Sequence, residues 1–113
     1  MAENPKRPGV VDFSPAAQSD VSAIYTYTAQ QWSQQQAEAY LSFLNEILHG
    51  LASDPSRAPF VANLNRVRSY TAKQSGARQG HRIFFVEFDG GINIIRILHT
   101  ARNWRSEIAK KKI

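Results

Sequence analysis

Apolar and aromatic side chains recur every three to four positions through two adjacent segments of the N-terminal half. The first segment follows Ser14–Pro15, where a serine hydroxyl can cap free backbone N–H groups and proline costs no hydrogen bond. The second begins at Ser33, with Gln36 at the spacing of a capping box, and ends before Pro55. The sequence therefore predicts two amphipathic helices that fold back on each other as a helical hairpin. The positions that form the two stripes are Ala17, Val21, Ile24, Tyr25, Thr28 and Trp32, then Ala37, Tyr40, Leu41, Leu44, Ile47, Leu48 and Leu51.

Short stretches rich in β-branched and aromatic residues predict four strands, one before the helical hairpin and three after it. Between the second and third of these strands, the basic stretch Lys73–Gly80 has no periodicity and is predicted to be a loop. The predicted strands are Val10–Phe13, Arg66–Ala72, His81–Phe88 and Ile92–His99.

The last two strands are predicted to form a β-hairpin, because the glycines between them tolerate positive φ. With Gly90–Gly91 as the loop, the register places Arg82 opposite His99 and Arg96 opposite Phe85. A slip of one residue would move every side chain to the other face of the sheet.

The order of these elements predicts an α+β fold: a small antiparallel β-sheet packed on one face by the N-terminal α-helical hairpin, with a short C-terminal helix. The helix is expected over Ala101–Lys112. Residues 1–9 are expected to be a flexible leader and residues 10–113 a single domain, since 113 residues suit one hydrophobic core. No segment resembles a secretory signal or a membrane span, so a cytoplasmic protein is expected.

Charge is divided unevenly along the chain. Residues 1–56 hold two basic and six acidic side chains, a balance of −4, while residues 57–113 hold twelve basic and three acidic side chains, a balance of +9. The C-terminal half is therefore expected to meet an anionic partner, either nucleic acid or an acidic protein segment, although a solvated basic face fits the composition equally well. The absence of cysteine excludes disulfides, thiolate metal sites and cysteine nucleophiles.

The sequence lacks the common catalytic motifs: no phosphate-binding glycine loop precedes a helix, and no serine lies on a strand-to-helix elbow. His49, His81 and His99 lack the spacing of metal ligands, so no metal site and no cofactor are expected. An arginine and histidine cluster on a sheet could hold a phosphate and move protons. A purely structural interpretation is also open, in which Arg96 pairs with Glu87 across the sheet and His99 ends its strand.

Several segments resemble the ParE toxins of the RelE/ParE superfamily, in the same order along the chain. The stretch His81–His99 is similar to the family's C-terminal hairpin, including its ending of an arginine, two apolar residues and a histidine, here Arg96–His99. The likeness runs from about Val11 to His99. The other matching segments are Phe13–Ala17 with Asp20, Ile24–Thr28, Trp32 and Gln36–Tyr40 in the helical hairpin, Leu51–Pro55 at its close, and Val67–Tyr70 in the next strand.

This resemblance implies a toxin of a type II toxin–antitoxin module that binds DNA gyrase, through its A subunit, and traps the cleaved-DNA state without doing chemistry itself. It also implies a ParD-like antitoxin that covers the basic surface of the toxin in a hetero-oligomer. No membrane partner and no sequence-specific DNA binding by the toxin alone are expected. The last helix carries Trp104, which could instead only dock that helix on the sheet. The residues expected to contact the target are Arg82, Arg96, His99, Trp104 and Arg105.

Two other functions stay open at this point. One is a RelE-like, ribosome-dependent mRNA endonuclease in which Arg68, Arg82 and Arg96 would hold a phosphate and His99 would act as general acid or base. Thr100 stands where some of those RNases have tyrosine, which favours the binding function. The other is an inactive relative that is kept only as the partner of its antitoxin.

Overall fold

The structure, a computed structural model, describes the backbone of residues 9–111 and the side chains of residues 9–108. The predicted leader therefore lies outside the described residues except for Gly9. The elements are β1 (Val10–Phe13), α1 (Pro15–Gln31), α2 (Gln34–Ser53), β2 (Arg68–Ala72), β3 (His81–Phe88), β4 (Gly91–His99) and α3 (Trp104–Lys111), with a 3-10 turn at Pro55–Arg57.

Both helices of the hairpin begin at the predicted serines. The Ser14 hydroxyl oxygen accepts a hydrogen bond from the Ala17 amide at 3.0 Å, and the Ser33 hydroxyl oxygen accepts one from the Gln36 amide at 3.0 Å. Each bond satisfies a backbone donor that has no partner within the helix. Local chemistry thus sets both the entry into α1 and the turn into α2.

The helical hairpin packs on one face of the sheet. Ile24 of α1 and Leu44 and Leu48 of α2 join one buried apolar cluster with Ile83 and Phe85 of β3. Burying a side chain of this size stabilises the fold by about 1.5–3 kcal/mol relative to leaving it in water. The predicted α+β class and the short C-terminal helix are confirmed.

The sheet is mixed, with strand order β1-β4-β3-β2. β2, β3 and β4 are antiparallel neighbours as predicted, whereas β1 runs parallel to β4. A tight turn forces two strands to be antiparallel, but β1 and β4 are separated by the helical hairpin and two further strands. Because the connection is long, tertiary packing decides the direction of β1 at this edge. The wholly antiparallel sheet predicted from the sequence is therefore wrong.

The hairpin loop between β3 and β4 lies one residue earlier than predicted. It consists of Asp89–Gly90, with Gly90 at a φ of 101°, and Gly91 already pairs with Phe88. A Cβ atom on Gly91 would lie 2.2 Å from the backbone oxygen of Val10. Gly91 is therefore a strand residue whose missing side chain allows β1 to approach.

A β-bulge at Ile95 shifts the register a second time, so that Phe84 lies opposite Arg96. The bulge coincides with the end of β1, and the Ile95 carbonyl accepts a hydrogen bond from the Ser14 hydroxyl at 3.0 Å. The predicted pairing of Arg96 with Phe85 is wrong, because neither this bulge nor the position of the loop is visible in the hairpin's own sequence.

Two element boundaries also differ from the predicted ones. β2 begins at Arg68 because Arg66 adopts a φ of 65°, the left-handed region, which interrupts an extended strand. α3 begins at Trp104 because residues after β4 first form a turn, in which the Arg102 amide donates to the His99 carbonyl at 2.9 Å. The end of the predicted helix, Lys112, lies outside the described residues.

The replacement Gly91→Ala tests the contact between β1 and β4. The added Cβ would collide with the backbone of Val10, so we expect a loss of unfolding free energy of roughly 3 kcal/mol, measured by urea denaturation. The matched replacement Gly76→Ala, in open space at a φ of 81°, should cost only about 1 kcal/mol. Equal losses at the two glycines would contradict the proposed role of the close approach.

Candidate functional site

The two faces of the sheet separate residues that the predicted register had brought together. Arg82 lies opposite Leu98, and His81 lies opposite His99. Directly opposite residues share a face and successive residues alternate between faces. Arg82 and Leu98 therefore lie on the face away from the helical hairpin, which we call the outer face, and the two histidines lie on the hairpin face. The predicted pairing of Arg82 with His99 is wrong.

The outer face carries a groove of about 520 Å³. Residues of β2, β3, α3 and the segment 57–63 line it. The Trp104 ring lies 5.3 Å from the ring of the buried Phe84, centre to centre, so the start of α3 is docked on the sheet and borders the groove. The lining residues with charged, aromatic or hydroxyl side chains are Arg57, Phe60, Ser69, Tyr70, Thr71, Arg82, Trp104 and Arg105.

Three arginines of this groove keep their charge free of carboxylates. Among the described residues, no ion pair involves Arg57, Arg82 or Arg105. Arg82 donates a hydrogen bond to the Thr71 hydroxyl at 3.2 Å, and the Arg105 guanidinium lies 4.5 Å from the centre of the Trp104 ring. The Arg57 guanidinium lies 5.9 Å from the centre of the Tyr70 ring, so neutral partners orient all three guanidinium groups without neutralising them.

Arg68, in contrast, is committed to contacts within the protein. Its Nε donates to a Glu87 carboxylate oxygen at 2.7 Å, its Nη1 donates to the Ala58 carbonyl at 2.6 Å, and its guanidinium lies 3.9 Å from the centre of the Phe60 ring. Phe60 is nevertheless 60% exposed. Glu87 therefore pairs with Arg68, and the predicted pairing of Glu87 with Arg96 across the sheet is wrong.

Arg96 is bound by Asp20 of α1 in a bidentate pair. Its Nε and Nη2 donate to the two carboxylate oxygens at 2.8 and 2.9 Å, and Asp20 also accepts a bond from the Ile97 amide at 2.8 Å. The two side chains are only 14% and 13% exposed. Hydrogen bonding to Asp20 raises the pKa of Arg96, so this guanidinium keeps its positive charge. This arginine joins α1 to β4, with its charge neutralised inside the molecule.

A cluster of polar rings joins α2 to the hairpin face of the sheet. The Tyr40 hydroxyl and His81 Nδ1 share a hydrogen bond of 2.7 Å, and the His81 and His99 rings meet edge to face at 5.4 Å. Burial, and then the nearby His99, lower the pKa of His81 from 6.5 to about 4, against a weaker opposing effect of Asp20. Burial raises the pKa of Tyr40 to about 12. Both groups are therefore uncharged at neutral pH.

The four residues of the endonuclease hypothesis do not surround one common position. Arg82 and His99 lie on opposite faces of the sheet, while Arg68 and Arg96 are each engaged by a carboxylate. This arrangement suits a binding surface on the outer face better than a phosphate held beside a histidine. Within the described side chains, no group of three histidine or acidic residues is placed to hold a metal ion. No helix in residues 9–111 combines the length and hydropathy needed to cross a bilayer.

Sequence reasoning missed most of the groove lining, including Arg57 and Phe60. Arg57 and Phe60 belong to a segment with no periodicity. Backbone bonds from Val61 to Val67 and from Ser69 to Pro59, together with the contacts of Arg68 to Ala58 and Phe60, bring this segment alongside β2. The charge imbalance after residue 56 was the one available signal, and it included Arg57 without indicating its neighbours.

Comparisons with known proteins agree with this architecture. Residues 11–104 match the model of a family described as ParE toxin of type II toxin-antitoxin system, parDE. The chain is 27% identical over 92 residues to Toxin ParE1 of Caulobacter vibrioides. The aligned region covers 81% of this chain and 90% of that protein. A solved structure of the chromosomal ParDE TA system from P. aeruginosa matches with a TM-score of 0.66 and 20% identity, over 80% of this chain and 94% of the other. The structural match supports the fold.

The replacement Asp20→Ala tests the pair with Arg96. It would leave a largely buried guanidinium without its counter-ion and the Ile97 amide without its acceptor, so we expect a loss of about 3 kcal/mol of unfolding free energy in urea. Asp12→Ala removes the same charge from an exposed position of β1 and should change stability by no more than about 0.5 kcal/mol. A small loss for Asp20→Ala would show that the pair is dispensable.

The pKa of His81 makes stability depend on pH in a defined window. Between pH 6.5 and about 4 the unfolded chain binds a proton at this residue and the folded chain does not, so the folded state is progressively destabilised as the pH falls through that range. In the variant His81→Gln this part of the pH dependence should disappear, as measured by urea unfolding at a series of pH values. His49→Gln, at an exposed position of α2, should keep the wild-type profile; a wild-type profile in His81→Gln would refute the assignment.

Proposed function

This chain belongs to the ParE toxin family of type II toxin–antitoxin systems, and we propose that it acts by binding DNA gyrase, in the cytoplasm, rather than by cutting RNA. In this proposal the toxin holds gyrase, through its A subunit, in the state with cleaved DNA and so blocks replication. No bond is made or broken by the toxin itself.

The groove on the outer face is the observation that carries the proposal. Arg82, Trp104 and Arg105 were expected to contact the target, and all three line it beside the missed Arg57 and Phe60. Arginine and tryptophan are enriched among the residues that dominate the free energy of protein–protein binding. Trp104 also packs on the sheet, so its docking role and its contact role are compatible.

Arg96 and His99 were also expected to contact the target, and we propose other roles for them. The Arg96 charge is neutralised by Asp20, and His99 lies on the hairpin face, where its Nδ1 accepts a hydrogen bond from the Ala101 amide at 3.0 Å. We place both outside the main contact surface and assign Arg96 to holding α1 on the sheet. Their replacement would then weaken the toxin through its stability and not through a lost contact.

We further propose that a ParD-like antitoxin neutralises the toxin in a hetero-oligomer by covering these cations with an acidic segment. Charge complementarity supports this partner, since the C-terminal half carries the excess of +9. A second groove, of about 480 Å³, offers an apolar contact between the helices and β4, with Val21, Tyr25 and Leu41 among its lining residues. Together the two grooves give an antitoxin one charged and one apolar contact surface.

A supercoiling assay with purified gyrase tests the proposed target. The wild-type chain should inhibit supercoiling and cause linear DNA to accumulate, whereas Arg82→Ala and Trp104→Ala should each raise the concentration needed by roughly 10-fold, because a central contact is worth about 1–2 kcal/mol. Arg102→Ala is the matched control: that arginine lies outside the groove and pairs with Glu107 at 2.5 Å.

Absence of any effect on gyrase at high toxin excess would reject the proposal. Codon-phased breaks in cellular mRNA after induction, alongside unaffected supercoiling, would instead favour the endonuclease function. Unaffected growth after expression without antitoxin would favour an inactive relative. Circular dichroism of each variant would separate a lost contact from a lost fold.

A further inference from the structure

We propose that an acidic segment of the antitoxin binds this chain as an added β-strand, antiparallel to the open edge of β2, with acidic side chains at alternate positions on the outer face. This inference rests on the proposed neutralisation by an antitoxin, and it gives the covering segment a conformation and a residue pattern. Unpaired backbone groups at the edge of β2 and the cations beside them carry it.

Another segment covers only the first part of the edge of β2. The Ser69 amide donates to the Pro59 carbonyl at 3.1 Å, on the side of β2 away from β3. This pairing ends at Pro59, because proline has no N–H to donate to the Ser69 carbonyl and the chain before it forms the 3-10 turn Pro55–Arg57. Within residues 9–111, the rest of this edge has no neighbouring strand.

The backbone of Thr71 is unpaired at this open edge. The direction of the amide and carbonyl groups alternates along a strand, so those of Thr71 point the same way as the Ser69 amide, away from β3. No group of the described residues bonds to them, and Thr71 is exposed. An unpaired amide and carbonyl on one residue are the two groups that the facing residue of an added antiparallel strand would bond.

Cations stand beside this edge on the outer face. Arg82 lies directly opposite Thr71, and its guanidinium donates to the Thr71 hydroxyl at 3.2 Å, so its charge lies over β2 next to the open edge. Lys73, two residues further along, is exposed, and Arg105 of α3 lines the same groove as Thr71. Within the described side chains, none of these three cations forms an ion pair.

The geometry fixes which residues of the added strand would be acidic. The residue facing Thr71 would share its face of the sheet, the outer face, and would exchange both backbone bonds with it. Its side chain would therefore project toward the Arg82 guanidinium, and the residue two positions before it would face Lys73 in the same way. The same residues of the partner would thus supply both the bonding amides and the carboxylates.

The unpaired edge and its charge together select an acidic polypeptide. Two β2 edges paired with each other would bring Arg82 and Lys73 of both copies onto one face of a shared sheet, and such like-charge neighbours oppose self-pairing. A nucleic acid would meet the cations but has no backbone matched to the unpaired amide and carbonyl of Thr71. An acidic peptide in extended conformation satisfies both sets of groups.

Peptide binding to the isotope-labelled, full-length chain tests the proposal by nuclear magnetic resonance. The probe is a synthetic peptide of about ten residues in which glutamate alternates with threonine. At saturating peptide we expect hydrogen exchange of the Thr71 amide to slow by about 10-fold or more, and affinity to fall as salt is raised. The Ala72 amide, which already faces β3, should change little.

Backbone methylation of the peptide separates strand addition from attraction of charge. Methylating the glutamate amides removes the donors that would face Thr71 and should weaken binding by roughly 10-fold. Methylating an equal number of threonine amides, which would point to solvent, is the matched control and should change affinity by no more than about 3-fold. Both peptides carry the same charge and leave the toxin chain unaltered.

Variants of the chain test the same contact from the other side. Thr71→Pro removes the edge amide and leaves the ladder with β3, since proline is tolerated at outward-facing edge positions, and it should weaken peptide binding by about 10-fold. Arg82→Ala should weaken binding by about 5-fold and reduce its salt dependence. Arg78→Ala, which removes an exposed charge from the loop after β2, should stay within about 2-fold of wild type. Circular dichroism of each variant checks that it is folded.

Equal binding of the two methylated peptides, or binding without slower exchange at Thr71, would mean that an acidic segment covers the cations without adding a strand. That result would overturn this inference and leave the proposed antitoxin standing. If no acidic peptide bound even at low salt, both this inference and the charged antitoxin contact would fall. The supercoiling assay contains no peptide, so its result is independent of these outcomes.

Discussion

Within residues 9–111 the second half of β4 has no neighbouring strand on one side, and the fold depends on how its backbone is satisfied there. The Ser14 amide and hydroxyl donate to the carbonyls of Ile94 and Ile95, and the Asp20 carboxylate accepts from the amide of Ile97. Buried backbone groups without partners are costly, and an open strand edge invites pairing with other chains. The start of α1 therefore supplies hydrogen-bond partners to the backbone at the end of β4, as β1 does at the beginning of that strand.

Ion pairs within the fold decide which arginines keep an unpaired charge at the surface. Asp20 neutralises Arg96, and Glu87 neutralises Arg68, so two arginines that look equivalent to the others in the sequence are internal to the fold. The cations of the C-terminal half therefore include arginines that hold the structure together, such as Arg68 and Arg96, and arginines that line one groove, such as Arg82 and Arg105. A binding surface is defined by the cations left over after internal pairing, and net charge alone does not reveal which ones they are.

The groove itself depends on two segments that lie outside the sheet. The segment after the 3-10 turn is held beside β2 by backbone hydrogen bonds, and α3 is docked on the outer face through Trp104 and Phe84. Phe84 is buried on that face, which the helical hairpin does not cover. A hydrophobic contact thus positions the charged residues of α3, and stability and binding share the same few side chains.

The sequence by itself determined the features that arise from neighbours along the chain. Serine caps, helical periodicity and alternating strands follow from contacts within a few residues, and they were sufficient to predict the α+β fold and to show the resemblance to ParE toxins. The contact set predicted on the basic sheet surface and the last helix included Arg82, Trp104 and Arg105, and their function stays a proposal. The strand register, the parallel direction of β1 and the partners of Arg68 and Arg96 were decided only by tertiary structure. Each depends on groups distant in sequence, such as Val10 against Gly91 and Asp20 against Arg96, whose approach no local pattern encodes.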